Sequence, residues 1–332
     1  MVPWTVQYEV EELASFVEED PEPVIAFYGG EPLLNSEFIV DVMRALSRAK
    51  FVIQTNGLLI NALEPHYWRK FDTVLLSIDG VRELTDRYRG KGVYDRVVEA
   101  AKWLRRHGYK GDLIARMTVT EDSDIYRDVT HLLSLGLFDH VHWQLDVVWS
   151  NRWRDFRKWS IQSYKPGISK LVSLWLRRAE KGEILGIAPF KAIAYSALSG
   201  TPLLSPPCGA GQDSVAILTD GRIIACPIAV YEGWANMGKL GHSSLKDLKR
   251  VDIRDPCLRC EYYRYCGGRC LYAYKEKLWG EAGFHEVCGL TKYLLREVLE
   301  ATAELQDLID EGIIRLEELE YPLFNNTIEI IP

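Results

Sequence analysis

From near its start the chain alternates short apolar runs with longer amphipathic stretches. VIAFY (24–28), FVIQTN (51–56), TVLLSID (73–79), DLIARMTVT (112–120) and HVHWQLDVV (140–148) read as strands. Between them, SEFIVDVMRALSRA (36–49), YDRVVEAAKWLRRHG (94–108) and DIYRDVTHLLSLG (124–136) carry apolar residues at helical spacing. This order predicts βαβ units and a parallel sheet, either open or closed into a barrel. Two strands also alternate within themselves. His140, His142, Gln144 and Asp146 share one face against Val141, Trp143, Leu145 and Val147, and Arg116, Thr118 and Thr120 oppose Ala115, Met117 and Val119. A strand covered by helices on both faces would be apolar on both, so a polar face predicts a barrel or partial barrel whose interior holds a ligand. The two histidines on that face are expected as hydrogen-bonded interior residues.

Further along, residues 151–200 read as a helical bridge, clearest over 165–182, and 292–312 reads as a long amphipathic helix. Its apolar spacing is not sustained over four heptads, so it is expected to cover a surface rather than form a coiled coil.

Composition narrows the classes. The 332 residues are 47% hydrophobic and 26% charged, enough for a substantial core. A net charge of −7 argues against electrostatically driven nucleic-acid binding. The basic, aromatic run NRWRDFRK (151–158) reads first as a solvated helix face, with RNA binding through Arg152, Trp153, Arg154 and Arg157 as a lesser reading. The first residues lack a basic segment followed by an apolar run, and no uncharged apolar stretch approaches a membrane span, so the expected location is the cytoplasm, with no membrane partner.

The cysteines change the picture most. There are seven, Cys208, Cys226, Cys257, Cys260, Cys266, Cys270 and Cys288, and four of them fall in CLRCEYYRYCGGRC (257–270). Cytosolic chains rarely keep disulfides, so this spacing reads as metal ligation; on spacing alone, structural zinc and iron–sulfur clusters both remain open. Four strand ends carry polar punctuation in order: AFYGGEPLLN (26–35), QTNG (54–57), SIDG (77–80) and RMTVT (116–120). Each alone suits a turn or cap, yet each stands at the C-terminal end of its strand, where barrels of this kind bind ligands.

Together these motifs resemble the radical S-adenosylmethionine superfamily, in the branch that carries a seven-cysteine SPASM domain, over roughly residues 24–148 and 208–288. The resemblance implies that Gly29, Gly30 and Glu31 line the site for the cofactor's methionine amino group. It also implies that Ser77 contacts the cofactor, that Arg116 pairs with its carboxylate, that Thr55 and Asn56 line the same cavity, and that Gln144 faces the interior near adenine or substrate. It implies two auxiliary [4Fe-4S] clusters, one on Cys257, Cys260, Cys266 and Cys288 and the other on Cys208, Cys226 and Cys270. The implied substrate is a peptide or protein, and a ferredoxin or flavodoxin is an expected electron donor. No residue is assigned as catalytic. Pro227 stands where the sulfatase-maturating branch has an aspartate, so another peptide modification is expected.

One element of the family pattern has no counterpart here. The C-x3-C-x2-C segment that precedes GGEP in the family is missing, since no cysteine comes before Cys208. The expected architecture is therefore α/β: a partial (β/α)6 TIM-like barrel missing its first strand (1–150), the helical bridge (151–200), a small cysteine-rich SPASM domain (201–290), and a C-terminal helix and tail (291–332). The expectation is a chain that begins late, through a misassigned start or trimming, and that alone does not cleave its cofactor reductively. The alternative is a non-catalytic iron–sulfur or zinc protein that binds a peptide or partner.

Overall fold

All five expected strands form. In the computed structural model, which describes residues 2–148 and 153–322, β1 (Val24–Phe27), β2 (Lys50–Thr55), β3 (Thr73–Ser77), β4 (Asp112–Val119) and β5 (His140–Leu145) make one parallel sheet in sequence order. Among the described residues the sheet does not close. β1 forms one edge, paired to β2 alone. At the other edge, Val141 on β5 donates its N–H to the Gly186 carbonyl (2.7 Å), forming an isolated parallel bridge at Ile187.

The sheet's apolar face explains the helices. Ile53, Val74, Leu76, Ala115, Met117, Val141 and Trp143 are buried in the main core. The helices Ser36–Ala45, Val93–Arg106 and Ile125–Ser134 bring Ile39, Val42, Val97, Leu104, Val129 and Leu132 to the same core. Each such side chain contributes about 1.5–3 kcal/mol on burial.

The opposite face is divided along the strands. Toward their N-terminal ends, Val52, Leu75 and Ile114 pack with Ala188, on the helix Ala188–Ser199, and with Tyr321. Toward their C-terminal ends the same face is polar, and that half carries the candidate site. The expected helical bridge supplies the helices Phe156–Trp159, Lys165–Ala179 and Ala188–Ser199, and the third of these closes the floor under the polar half.

The cysteine-rich region holds a second, antiparallel sheet of β6 (Ala216–Ile217), β7 (Arg222–Ile224) and β8 (Asn236–Lys239). The chain's first residues lie against it: Gln7 donates its N–H to the Thr219 carbonyl (2.8 Å), and the Thr219 hydroxyl donates to the Pro3 carbonyl (2.6 Å). The long C-terminal helix differs from its expected bounds. It starts at Gly280, twelve residues before 292, ends at Glu300, and is followed by Thr302–Asp310. Gly280, Gly283 and Gly289 dilute the helical signal, but Gly283 is required by packing, since a Cβ there would lie 2.3 Å from Trp279 Cβ. The earlier start places Cys288 on a rigid helix.

Candidate functional site

Strand register sets the first half of the site. Ser77, Arg116 and His142 are Cα partners across β3, β4 and β5, and Thr118 pairs with Gln144 one row further toward the C-terminal ends. The polar face is not solvated: His142 is fully buried, and Gln144 and Ser77 are 9% and 7% exposed. Arg116 Nη1 donates to the Met117 carbonyl (2.6 Å). His140 meets Asp112 (Nδ1···Oδ1, 2.8 Å) and Lys191 (Nε2···Nζ, 3.3 Å), so it is an interior hydrogen-bonded residue. Burial lowers the pKa of Lys191, a shift that Asp112, Glu318 and Glu320 oppose.

Glu31, at the end of β1, organises the neighbouring strand end. Its carboxylate accepts from the Leu33 N–H (3.1 Å), the Thr55 hydroxyl (2.8 Å) and the Asn56 N–H (2.8 Å). Thr55 Oγ1 in turn accepts from Gly57 N–H (3.1 Å), and Asn56 Oδ1 accepts from Leu58 N–H (2.8 Å). The GGEP and QTNG ends are thus joined by one carboxylate, and these groups bond chiefly to each other. A Cβ added at Gly29 or Gly30 would meet nothing within 4 Å, so the backbone there faces open space.

The structure adds two carboxylates to this end of the sheet. Asp79, 2% exposed, takes two hydrogen bonds from Arg89 (2.7 and 2.6 Å) and one from the Thr118 N–H (2.8 Å). Burial, reinforced by Asp79, raises the pKa of Asp146 above its ordinary value. The sequence signal was SIDG itself, whose Asp-Gly pair reads equally well as a turn. Of the basic run 151–158, Arg152 lies outside the described residues. Trp153 donates its indole N–H to the Asp146 carbonyl (2.8 Å), and the Arg154 guanidinium is held by Glu121 (2.8 Å) and Asp122 (2.6 Å). These contacts fasten the segment to the strand ends, and they occupy Arg154, one of the expected RNA ligands.

The second half of the site is a cavity of about 120 Å³ bordered by Cys257, Cys260, Cys266, Cys270 and Cys288, with Arg269 and Lys292. The CGGR turn builds its wall. Gly267 has φ +58°, and a Cβ there would sit 1.8 Å from the Ser205 carbonyl oxygen, so only glycine allows the turn to approach that backbone. Cys288 enters from the long helix. Burial pushes the Cys266 thiol up to about 12 and raises those of Cys257 and Cys288, and the other thiolates add to each shift. Thiols raised in this way are held as thiolates where bound metal supplies strong positive charge. Cys270 borders the same cavity while its sulfur accepts from the Ala273 N–H (3.5 Å), and Tyr272 lies within electrostatic reach of both Cys270 and Cys226. Among the described residues, no group of three or more His, Cys, Asp or Glu side chains is gathered tightly enough to hold a single metal ion. Five cysteines border one cavity, and thiolates are the donors that iron–sulfur clusters take.

Aromatic packing runs from the apolar face of β5 to the residue before the helix that bears Cys288. Trp143 on β5 donates its indole N–H to Tyr164 Oη (3.1 Å), and Tyr164, Trp159, Trp153 and Trp279 follow one another with ring centroids 5.2, 4.8 and 6.2 Å apart.

Known proteins resemble this chain in sequence and in fold. Residues 3–131 match the family described as the radical SAM superfamily. An uncharacterized protein of Methanothermobacter thermautotrophicus is 31% identical over 208 residues, covering 59% of this chain and 73% of that protein. The mycofactocin maturase MftC of Mycolicibacterium smegmatis is 25% identical over 270 residues, 74% of this chain; the chain spans 65% of that maturase's own length. The solved structure of native anSMEcpe with bound AdoMet and Cp18Cys peptide superposes with a TM-score of 0.68 at 18% identity, over 89% of this chain and 91% of that one. The parallel sheet with its polar C-terminal end is the fold of that structure, and the chain belongs to the radical SAM superfamily.

Proposed function

We propose that this chain carries the cofactor-binding sheet and the auxiliary-cluster module of a radical S-adenosylmethionine enzyme that modifies a peptide or protein. The observation that carries the reading is the cavity that Cys257, Cys260, Cys266 and Cys288 line together with Cys270. In this reading those four residues hold one [4Fe-4S] cluster, and Cys208, Cys226 and Cys270 hold a second. Gly29, Gly30, Ser77, Arg116 and Gln144 bind S-adenosylmethionine at the open end of the sheet. Glu31, Thr55 and Asn56 shape the rim of that site through the hydrogen bonds already described. The bound clusters and S-adenosylmethionine supply one-electron chemistry; the protein orients them and keeps water from the polar face. The maturase and the peptide-bound anSMEcpe support a peptide substrate, and a ferredoxin or flavodoxin is the expected class of electron donor. Among the described residues no helix is long and apolar enough to cross a membrane, in keeping with a reaction in the cytoplasm.

Anaerobic reconstitution with iron and sulfide tests this reading. The expected result is about eight iron and eight sulfide per chain, two four-iron clusters, together with S-adenosylmethionine binding by calorimetry that Arg116→Ala weakens. Stoichiometric zinc without sulfide would replace the cluster assignment with a structural zinc site. Full cluster loading without S-adenosylmethionine binding would support the non-catalytic alternative.

A further inference from the structure

We infer that Arg269 and Lys292 set the redox potential of the four-cysteine cluster, favouring its reduced state. This rests on the cluster reading above and goes beyond it by giving two non-ligand side chains a function.

Arg269 carries most of the argument. It is 8% exposed, borders the cysteine cavity, and among the described residues no carboxylate lies within 4.0 Å of its guanidinium. A buried cation normally has a partner of opposite charge. Here its charge acts on the thiols of Cys266 and Cys288 and on the neutral Tyr164 hydroxyl, none of which is a carboxylate. An anionic cluster in the cavity would complete the pair. The backbone agrees. Among the described residues, the non-glycine residues with positive φ are Arg269 (+59°), Lys277 (+48°) and Trp279 (+64°), all within one eleven-residue stretch beside the cavity. Glycine would adopt that conformation at less cost, and such strain gathers where a side chain is needed at a functional site. Lys292 approaches from the other wall, on the face of the helix Gly280–Glu300 that bears Cys288 one turn earlier, and its ammonium lies within electrostatic reach of Cys260 and Cys288.

The redox step is simple to balance. A low-potential one-electron reductant, dithionite in the test, is oxidised, and the cluster accepts one electron without a proton and becomes one unit more negative. Fixed positive charge at the cavity wall stabilises that product more than the oxidised form. Arg269 is buried and acts at nearly full strength; Lys292 is exposed and is screened by water and salt.

The experiment compares reconstituted parent, Arg269→Gln, Arg269→Lys and Lys292→Gln by iron and sulfide content and by potentiometric titration followed by electron paramagnetic resonance. With metal content unchanged, Arg269→Gln is expected to move one reduction wave negative by about 59 mV, a tenfold lower ratio of reduced to oxidised cluster at fixed potential for one electron. Arg269→Lys keeps the wave near the parent potential, and Lys292→Gln gives a smaller negative shift, about threefold in the same ratio. Full iron with unmoved waves in Arg269→Gln overturns the inference. Should that variant fail to load iron, Lys292→Gln decides, and an unmoved wave there overturns it equally. A parent that takes up no iron and sulfide removes the cluster reading itself, an outcome told apart by the metal analysis alone.

Discussion

Replacing Glu31 with alanine tests whether this residue first of all holds the site together. Its carboxylate receives two backbone N–H groups and one hydroxyl at 2.8–3.1 Å, joining the ends of β1 and β2. Hydrogen bonds to a charged group contribute about 1.5–3 kcal/mol each, and they do not add when donors share one acceptor. Water will re-solvate the part-exposed Asn56 N–H more easily than the Leu33 N–H or the Thr55 hydroxyl, whose residues are each 2% exposed. The expected net loss is therefore about 2–4 kcal/mol, a fall in melting temperature of about 3–6 °C for a chain of this size. Glu31→Gln keeps one accepting oxygen but turns an amide N–H₂ toward a donor, and is expected to lose about half as much. Thermal melts followed by the fluorescence of the chain's 10 tryptophans give the measurement. Thr55→Val alone and combined with Glu31→Ala completes a double-mutant cycle, with an expected coupling of about 1 kcal/mol. A Glu31→Ala protein that melts within about 1 °C of the parent, or a strictly additive cycle, would refute the reasoning and return Glu31 to a purely ligand-binding role.

Three further outcomes follow from the geometry. Cys260→Ala is expected to lower iron by about four per chain and to reduce the melting temperature of the cysteine module, because bound metal contributes folding energy there; unchanged iron would take Cys260 out of the ligand set. Gly267→Ala drives a Cβ against the Ser205 carbonyl, 1.8 Å away, from a φ of +58°, and is expected to cost at least about 2 kcal/mol in urea denaturation and to impair cluster loading. Asp146→Asn carries a pH signature. Burial, then Asp79, raises the folded-state pKa of Asp146 above the ordinary 3.8, so its favourable contribution is complete below that value and is lost as pH rises through the raised one. The stability of the asparagine variant relative to the parent is thus expected to grow from about pH 3 to pH 7 in paired thermal melts, and a constant difference would contradict the assignment.

The legible parts of this molecule were those that repeat locally. Strand positions and their faces came from period-two alternation, and His142 and Gln144 stand opposite Val141 and Trp143 as that alternation requires. The cysteines were legible because their spacing sets them apart from ordinary buried cysteines. What escaped depends on partners distant in sequence. The Glu31 carboxylate meets donors 24 and 25 residues away, so GGEP read as a ligand rim while its hydrogen bonds to the next strand end stayed hidden. The helix that delivers Cys288 seemed to start at 292 because glycines interrupt its apolar spacing, and with that start Cys288 has no helix to place it at the cavity. Arg269 is the sharpest case. It stands inside CLRCEYYRYCGGRC, where the spacing draws attention to the cysteines alone, and only the fold shows that it is 8% exposed and lines the cavity they border. Charge is written in a sequence, but burial is not. A buried charge with no carboxylate beside it marks the place where the fold anticipates an anion that the chain itself does not provide.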